Sequence, residues 1–286
     1  MTEHADYALV PLRNGTFSIR SRAYGETMHP GIGPEAEAEA LYVRQTGLLD
    51  RLKAHRGDFV IWDVGLGAAA NALTVLDRTQ SSPSSIRLLS FDETDAPLRF
   101  ALKHPRELAY VSSRREILQR LLTERRIRFT DRQRSVDWEL FLDDFPQLVG
   151  TVTAADWPKP HLILFDPFSP AANPAMWTLP LFQRLFALLD PLQPCLLPTY
   201  SRSTMLRVTL LLAGFFVGCG EATGRKEETT LAANTPEFIT RPLDGRWLER
   251  VRRSESAHPL MEAAYRKAPI SPAMLERLQG HPQFKR

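Results

Sequence analysis

Four short, mostly apolar segments of this chain each end at acidic residues, and this arrangement constrains the fold more than any other feature. They are Phe59-Val60-Ile61-Trp62 before Asp63, Ile86 to Phe91 before Asp92, Val136 to Leu142 before Asp143-Asp144, and His161 to Phe165 before Asp166. Such runs are typical of strands in a largely parallel sheet. Because helix-like segments separate them, we predict a doubly wound α/β sheet whose ligands lie beyond the carboxyl ends of the strands.

The flanking segments divide the chain into three predicted parts. Two strand-like runs around Asn14-Gly15 predict an N-terminal hairpin, and the leucine spacing over residues 34 to 53 predicts a lid helix. We predict residues 1–55 as hairpin and lid helix, 56–235 as the α/β domain and 236–286 as a C-terminal helical appendage. Helices are expected near 94–103, 106–126, 174–189 and 203–213, with a last hairpin over 215–233.

Composition excludes several classes of protein. The 286 residues contain 43% hydrophobic residues and only two cysteines, Cys195 and Cys219, which lack metal-ligand spacing. The most apolar run, Val208 to Val217, is too short to span a bilayer, and the first residues show no signal-peptide pattern. We therefore expect a cytoplasmic protein with neither a metal site nor a membrane segment.

The positive charge is unevenly distributed. Between Arg106 and Arg134 lie nine arginines against four acidic residues. This arginine cluster is either a solvated helix face or a patch that binds phosphates, since guanidinium groups pair bidentately with phosphate oxygens.

The turn after the first of the four strands suits two cofactors. Gly65-Leu66-Gly67-Ala68-Ala69-Ala70 matches the G-x-G-x-x-A pattern of dinucleotide binding, with Asp92 at the expected distance for the ribose. However, Asp63 precedes Gly65, giving the acidic-x-Gly-x-Gly turn that S-adenosylmethionine enzymes use. Several carboxylates around one crevice suit a cationic sulfonium better than a pyrophosphate, so the residues favour a methyltransferase over an oxidoreductase.

The loop after the last of the four strands combines a carboxylate with aromatic rings and prolines. Asp166 begins this loop, which continues through Phe168 and three prolines to Trp177. Asp166 is either a turn cap or a group in the crevice, and the rest of the chain favours the crevice. Phe168 and Trp177 either sandwich a planar base or, for Trp177 especially, pack in the core. His29 either lines the pocket or, as we expect more often of a single histidine beside glycines, is a turn residue.

Several of these motifs resemble a known family. The segments Trp62 to Thr74, Ser90-Phe91-Asp92, Asp166 to Trp177 and Gly224-Arg225-Lys226 are similar to the methyltransferase domain of MnmC and its stand-alone bacterial relatives. The segment Tyr24 to His29 also resembles the entry segment of the stand-alone forms. The resemblance implies a Rossmann-like class I fold, S-adenosyl-L-methionine as cofactor, and methylation of the aminomethyl nitrogen of a tRNA wobble uridine.

The same resemblance implies roles for individual residues. Asp166 would be the catalytic residue beside the target amine. The cofactor would contact Asp63, Gly65, Gly67, Asn71, Asp92 and Asp144, and the substrate would contact Phe168, Trp177, Arg225 and Lys226. Two positions depart from the family pattern: Ala69 replaces a third glycine, and Glu227 stands where another arginine is common.

Three functions remain open on the sequence. The first is the tRNA wobble-uridine N-methyltransferase. The second is an enzyme of the same fold that methylates another amine, which would need no RNA. The third is a non-catalytic relative that binds RNA or the cofactor, against which Asp63, Asp92 and Asp166 argue. The flavin-dependent oxidase half of the fused enzymes is absent from this sequence, so another protein would have to supply the tRNA intermediate.

Overall fold

An N-terminal hairpin precedes the main sheet. The computed structural model describes residues 6–153, 155–223 and 227–285. Strands β1 (Tyr7–Pro11) and β2 (Phe17–Ser21) pair antiparallel, as predicted. Gly15 adopts a φ of 82° in the connecting turn, a conformation that suits glycine.

In the described part of the chain, eight strands form the main sheet in the order β5-β6-β4-β3-β7-β8-β10-β9. Their bounds are β3 Phe59–Val64, β4 Ile86–Asp92, β5 Arg126–Asp131, β6 Arg134–Leu142, β7 Leu162–Phe165, β8 Leu196–Thr199, β9 Phe216–Cys219 and β10 Thr230–Ala233. Strand β5 runs antiparallel to β6, and β10 runs antiparallel to both β8 and β9. The chain leaves β3 toward β4 and later returns to its other side at β7, so the strand order reverses between β3 and β7. Ligands of such sheets lie at this switch point.

Helices cover both faces of the sheet. Their bounds are α1 Pro34–Ala38, which continues as a π-helical segment Glu39–Arg44, α2 Leu48–Ala54, α3 Ala70–Arg78, α4 Ala96–Lys103, α5 Arg115–Glu124, α6 Phe145–Thr151, α7 Leu179–Leu188, α8 Thr204–Ala213, α9 Gly245–Arg252 and α10 Pro272–Gln279. Short 3-10 helices span Ala109–Arg114, Pro174–Trp177, Pro236–Phe238 and Pro282–Phe284. Alternate residues of β3 point into two separate apolar clusters: Ile61 packs with α1 to α5, and Trp62 packs with α6 to α10. This is the doubly wound fold predicted from the sequence.

Strand β5 is a correction to the predicted helix over residues 106–126. The helix ends at Glu124 because Arg125 adopts a left-handed φ of 63°, and β5 begins at the next residue. In β5 the buried Ile127 lies between exposed arginines, and the strand pairs antiparallel with β6. Only one face of an edge strand needs apolar side chains, and the residues on the other face here include the charged Arg126 and Arg128. These charges concealed the strand pattern in the sequence.

The C-terminal segment packs against the sheet domain. Trp247 and Val251 of α9 and Leu278 of α10 belong to the second apolar cluster. The amide of Gln283 bonds to both backbone groups of Val217, with N···O distances of 2.7 and 2.8 Å. The predicted boundaries at 55 and 235 stay predictions, but the helices beyond residue 235 share their core with α7 and α8.

Candidate active site

A cavity of about 480 Å³ opens at the carboxyl ends of β3, β4 and β7, at the switch point of the sheet. Five of the predicted site residues line it: Gly65, Gly67, Asp92, Asp166 and Phe168. The opposite wall comes from residues 24–30, which follow the N-terminal hairpin. The cavity is therefore enclosed by two parts of the chain that are far apart in sequence.

The glycine turn after β3 forms the floor of the cavity. Gly65 and Gly67 have φ values of 89° and 53°, in the region that favours glycine. A Cβ atom on Gly65 would lie 3.1 Å from the backbone oxygen of Asp166, and one on Gly67 would lie 3.4 Å from the Met28 sulfur. The glycines thus allow a close approach of the backbone to Asp166 and leave a cradle that a side chain would fill.

Asp92 ends β4 with both carboxylate oxygens held. Oδ2 accepts a hydrogen bond from the Gly67 amide at 2.8 Å, and Oδ1 accepts one from the Thr94 amide at 3.2 Å. Burial raises the pKa of Asp92 to about 6, although these hydrogen bonds act in the opposite direction. Asp92 is thus an oriented carboxylate at the cavity wall, suited to accept hydrogen bonds from sugar hydroxyls.

Asp63 lies beneath the cavity and does not line it. Its side chain is 1% exposed, and its Oδ2 accepts a hydrogen bond from Ser90 Oγ at 2.9 Å. The indole of Trp138 donates to the same Ser90 oxygen. Burial raises the pKa of Asp63 to about 7. Ser90 and the core enclose the carboxyl group of Asp63, and its predicted contact with the cofactor stays a prediction.

Asp166 is held by two side chains that both contact Oδ2. Asn71 Nδ2 donates to it at 2.8 Å, and His29 Nε2 lies 2.9 Å from it. The side chains of His29 and Asp166 are only 12% and 14% exposed. Burial lowers the pKa of His29, but the hydrogen bond and charge of Asp166 outweigh it and raise the pKa from 6.5 to about 9. The two residues therefore form an ion pair at neutral pH.

His29 corrects our expectation that it is only a turn residue. It lines the cavity, and its φ of 46° is uncommon for a residue other than glycine. Asn71 belongs to α3, is 3% exposed and does not line the cavity. Its side chain orients Asp166 by a hydrogen bond.

The loop after Asp166 is fixed against the N-terminal segment. The ring of Phe168 stacks on Tyr24 with centroids 4.3 Å apart and planes 23° apart. The Ser169 amide donates to Glu26 Oε2 at 2.9 Å, and the Ser169 hydroxyl donates to the other oxygen of Glu26. Tyr200 donates to the carbonyl of Pro167 at 3.2 Å. These contacts place an aromatic pair on the cavity wall.

Two other predicted positions, Trp177 and Asp144, do not line the cavity. Trp177 is completely buried, and its indole donates to the Phe168 carbonyl at 2.8 Å, which matches the core-packing alternative for this residue. Asp144 caps α6 by accepting from the Gln147 amide at 2.8 Å; its neighbour Phe145 lines the cavity instead. Arg225 and Lys226 lie outside the described residues.

The arginine cluster is largely paired with carboxylates. Arg114 is buried between Asp77 and Asp131, which excludes the phosphate contact considered for it. The remaining pairs are Arg120 with Glu124, Arg125 with Asp95, Arg126 and Arg128 with Asp137, and Arg134 with Asp131. The positive charge that the sequence concentrates here is therefore mostly neutralised in the fold.

Sequence reasoning missed several residues of the cavity wall. Tyr24, Glu26 and Met28 belong to the segment that carried a resemblance, but no local pattern assigned a role to their side chains. Tyr200 follows β8, and its pKa is raised well above 10 by burial and by the charge of Asp166. The position after a parallel strand was the one signal that could have identified Tyr200.

Comparison with known proteins gives a consistent assignment. A family model described as an S-adenosyl-L-methionine-dependent methyltransferase matches residues 108–235. The bifunctional tRNA 5-methylaminomethyl-2-thiouridine biosynthesis protein MnmC of Methylibium petroleiphilum is 30% identical over 240 residues, covering 78% of this chain and 34% of that protein. The MnmC protein of Maricaulis maris is 28% identical over 223 residues, covering 73% and 36%. The chain carries an MnmC-like methyltransferase domain.

The comparison with solved structures shows the same fold in a known protein. The crystal structure of MNMC2 from Aquifex aeolicus superposes with a TM-score of 0.69 at 21% identity, covering 96% of this chain and 84% of that one. The chain spans about a third of the length of the two MnmC proteins above. The cofactor of the MnmC-like domain is S-adenosyl-L-methionine.

Two features of the cavity fit this cofactor. Gly67 has no side chain, and a Cβ atom there would lie 3.4 Å from the Met28 sulfur. The free space lets a bound cofactor approach the backbone at Gly67 closely. The oriented carboxylate of Asp92 is the acceptor that ribose hydroxyls need.

Among the described residues, no group of histidine, cysteine and acidic side chains could hold a metal ion. No helix in the described ranges has the length and apolar character that crossing a membrane requires.

Proposed function

We propose that this protein methylates the aminomethyl nitrogen of a wobble uridine in tRNA, using S-adenosyl-L-methionine. The observation that carries the proposal is the carboxylate of Asp166, oriented by Asn71 and His29 in a cavity that also presents the aromatic pair of Phe168 and Tyr24. The printed names of the MnmC relatives, which concern tRNA 5-methylaminomethyl-2-thiouridine, support the choice of substrate. A cytoplasmic location is part of the same proposal, since tRNA is the substrate.

In the proposed reaction the protein binds and orients an amine. When bound, the cofactor supplies an electrophilic methyl group on a sulfonium: the amine nitrogen bonds to the methyl carbon while the C–S bond breaks and its electron pair stays on sulfur. The carboxylate oxygen of Asp166 that neither His29 nor Asn71 contacts, Oδ1, accepts a hydrogen bond from the amine and directs its lone pair. Holding two reactants in line contributes on the order of 7 to 11 kcal/mol to the barrier reduction.

The aromatic pair recognises the base in this proposal. Phe168 and Tyr24 offer flat faces beside Asp166, and each base that stacks on an aromatic side chain contributes about 1 to 3 kcal/mol. The two rings stack on each other and lie on two chain segments, the loop after β7 and the segment after the hairpin. Arg225 and Lys226 keep their predicted role as tRNA contacts. Asp63, hydrogen-bonded to Ser90, and Asp144, which caps the helix that begins with the cavity residue Phe145, act on the cofactor pocket through these neighbours.

The decisive experiment is methylation of tRNA from a strain that lacks this methylation step. The purified protein, the tRNA and S-adenosyl-L-methionine are incubated, and the digested nucleosides are analysed by mass spectrometry. We expect a wobble nucleoside heavier by one methyl group replacing hydrogen, and none with Asp166→Asn. Methylation of free aminomethyl nucleoside at the same efficiency as of tRNA would instead favour the small-molecule amine methyltransferase. Cofactor binding without turnover on either substrate would favour the non-catalytic relative.

A further inference from the structure

His29 is a buried cation beside the carboxylate that we assign to the substrate amine. Its Nε2 lies 2.9 Å from Asp166 Oδ2, and its side chain is 12% exposed. The backbone holds it at a φ of 46°, a conformation that costs a non-glycine residue free energy and persists only where the surrounding structure enforces it. A histidine that made no such contact would be free to adopt a backbone conformation of lower energy.

The charge of the pair matters because of the chemistry proposed for the cavity. An alkylamine reaches the protein as an ammonium ion, whereas only the free amine has the lone pair that methylation needs. A lone carboxylate within hydrogen-bond distance would stabilise the ammonium ion and raise its pKa by about 1 to 3 units. Such a site would bind the substrate well in its unreactive form.

We propose that His29 is a positioning residue that neutralises Asp166, so that the cavity accepts the target amine as a free base rather than as an ammonium ion. Asp166 then keeps the orientation that it needs as a hydrogen-bond acceptor, since Asn71 holds the same oxygen at 2.8 Å. The ammonium proton is lost to water before the amine is seated. This inference rests on the proposed N-methylation, and it assigns to His29 a role that the carboxylate alone cannot fulfil.

The charged groups that face His29 come from three elements. Asp166 follows β7, Glu37 belongs to α1 and lines the cavity, and Asp63 at the end of β3 is coupled to His29 more weakly. The hydrogen bond and charge of Asp166 are the largest influences that favour the imidazolium form, ahead of the charge of Glu37. Removing the charge of Asp166 should therefore change the protonation of His29 more than removing that of Glu37.

The first test measures the protonation of His29 directly and needs no substrate. The Cε1–H signal of His29, assigned by its loss in His29→Gln, is followed by NMR across the pH range. We expect it to titrate near pH 9 in the wild type, at clearly lower pH in Asp166→Asn, and between these two in Glu37→Gln. A neutral His29 at neutral pH in the wild type would overturn the proposal.

The second test compares pH profiles of kcat/KM with tRNA that carries the aminomethyl wobble nucleoside. His29→Gln keeps a hydrogen-bond donor and removes the charge, whereas His29→Ala removes both. We expect the acidic limb of the profile to move to higher pH by about 1 to 3 units in both variants, with KM unchanged or lower while kcat falls. His104→Gln, whose ring packs on Phe100 away from the cavity, is the matched control and should keep the wild-type profile.

The outcomes separate the inference from the proposed function. An unchanged limb, or an equal loss of kcat at every pH, would mean that His29 has a merely structural role. Absence of turnover by the wild type with this tRNA would refute the proposed function, and the NMR titration would still decide the state of His29. Melting temperature and cofactor binding of each variant, measured by calorimetry, exclude misfolding as the cause of a lost rate.

Discussion

Asp166→Asn should destabilise the protein at neutral pH and hardly at all at high pH. The substitution keeps the shape and an oxygen acceptor but removes the charge that pairs with His29. The pKa of His29 is raised in the folded state, from 6.5 to about 9, so the folded protein binds the extra proton more tightly than the unfolded chain. The resulting stabilisation is fully present below pH 6.5 and is lost as the pH rises through about 9.

The size of the effect follows from the same two values. A difference of about 2.5 units, at about 1.36 kcal/mol per unit, gives at most about 3 kcal/mol, of which roughly 2 to 3 kcal/mol acts at about pH 7. The contribution falls to about zero at about pH 10. For a protein somewhat larger than 250 residues this corresponds to a melting temperature lower by roughly 5 to 10 °C at about pH 7.

The assay is urea unfolding of wild type and Asp166→Asn at about pH 7 and about pH 10, which gives the free energy of unfolding of each. Asp58→Asn, at an exposed position, is the matched control for removing a negative charge and should show no pH-dependent difference. A loss of stability of equal size at both pH values would refute the reasoning, since it would mean that Asp166 stabilises the fold by hydrogen bonds that do not depend on the charge of His29.

Three further substitutions test the rest of the site. Asp92→Ala should weaken S-adenosyl-L-methionine binding by about 1.5 to 3 kcal/mol in calorimetry, and unchanged affinity would place the ribose contact elsewhere. Tyr24→Ala should weaken binding of the substrate tRNA by about 1 to 3 kcal/mol, while Tyr24→Phe keeps it; equal affinity in both would argue against stacking. Arg20→Gln, at the cavity wall, should reduce the salt slope of tRNA binding by about one, whereas Arg120→Gln, paired with Glu124, should leave it unchanged.

The sheet and the glycine turn that forms the floor of the cavity were predictable because their sequence signals are local. Gly65, Gly67, Asp92 and Asp166 follow directly after apolar strands, and the parallel order brings these strand ends to one edge. The sequence therefore predicted the region of the cavity without any knowledge of contacts. Roles assigned by position alone were less secure: Trp177 is also next to this loop, but its large apolar ring gains more from burial than from a place on the wall.

The other wall depends on contacts between distant parts of the chain. His29 and Asp166 are separated by 137 residues, and nothing near His29 in the sequence indicates which end of the sheet its segment covers. The choice between a solvated face and a phosphate-binding patch for the arginine cluster also depends on such contacts. The partners Asp77, Asp95 and Asp137 are brought to the arginines by the fold, and charge counted along the chain does not reveal them.

The arrangement of carboxylates also explains how one cavity can treat two cationic groups differently. Asp92 is the last residue of β4 and Asp166 follows β7, and these strands flank β3, so at about 4.8 Å per strand spacing their backbones are roughly 10 Å apart. Asp92 is held by backbone amides, which bring no full charge, so when ionised it keeps its charge as an acceptor for the cofactor. Asp166 is held by an imidazolium, which cancels its charge while fixing its direction. An amine must reach the sulfonium methyl without a proton, because a second cation would be repelled and has no lone pair to donate. In the proposed mechanism, Asp92 therefore keeps its charge and binds the cofactor, and Asp166, whose charge His29 cancels, binds the nucleophile.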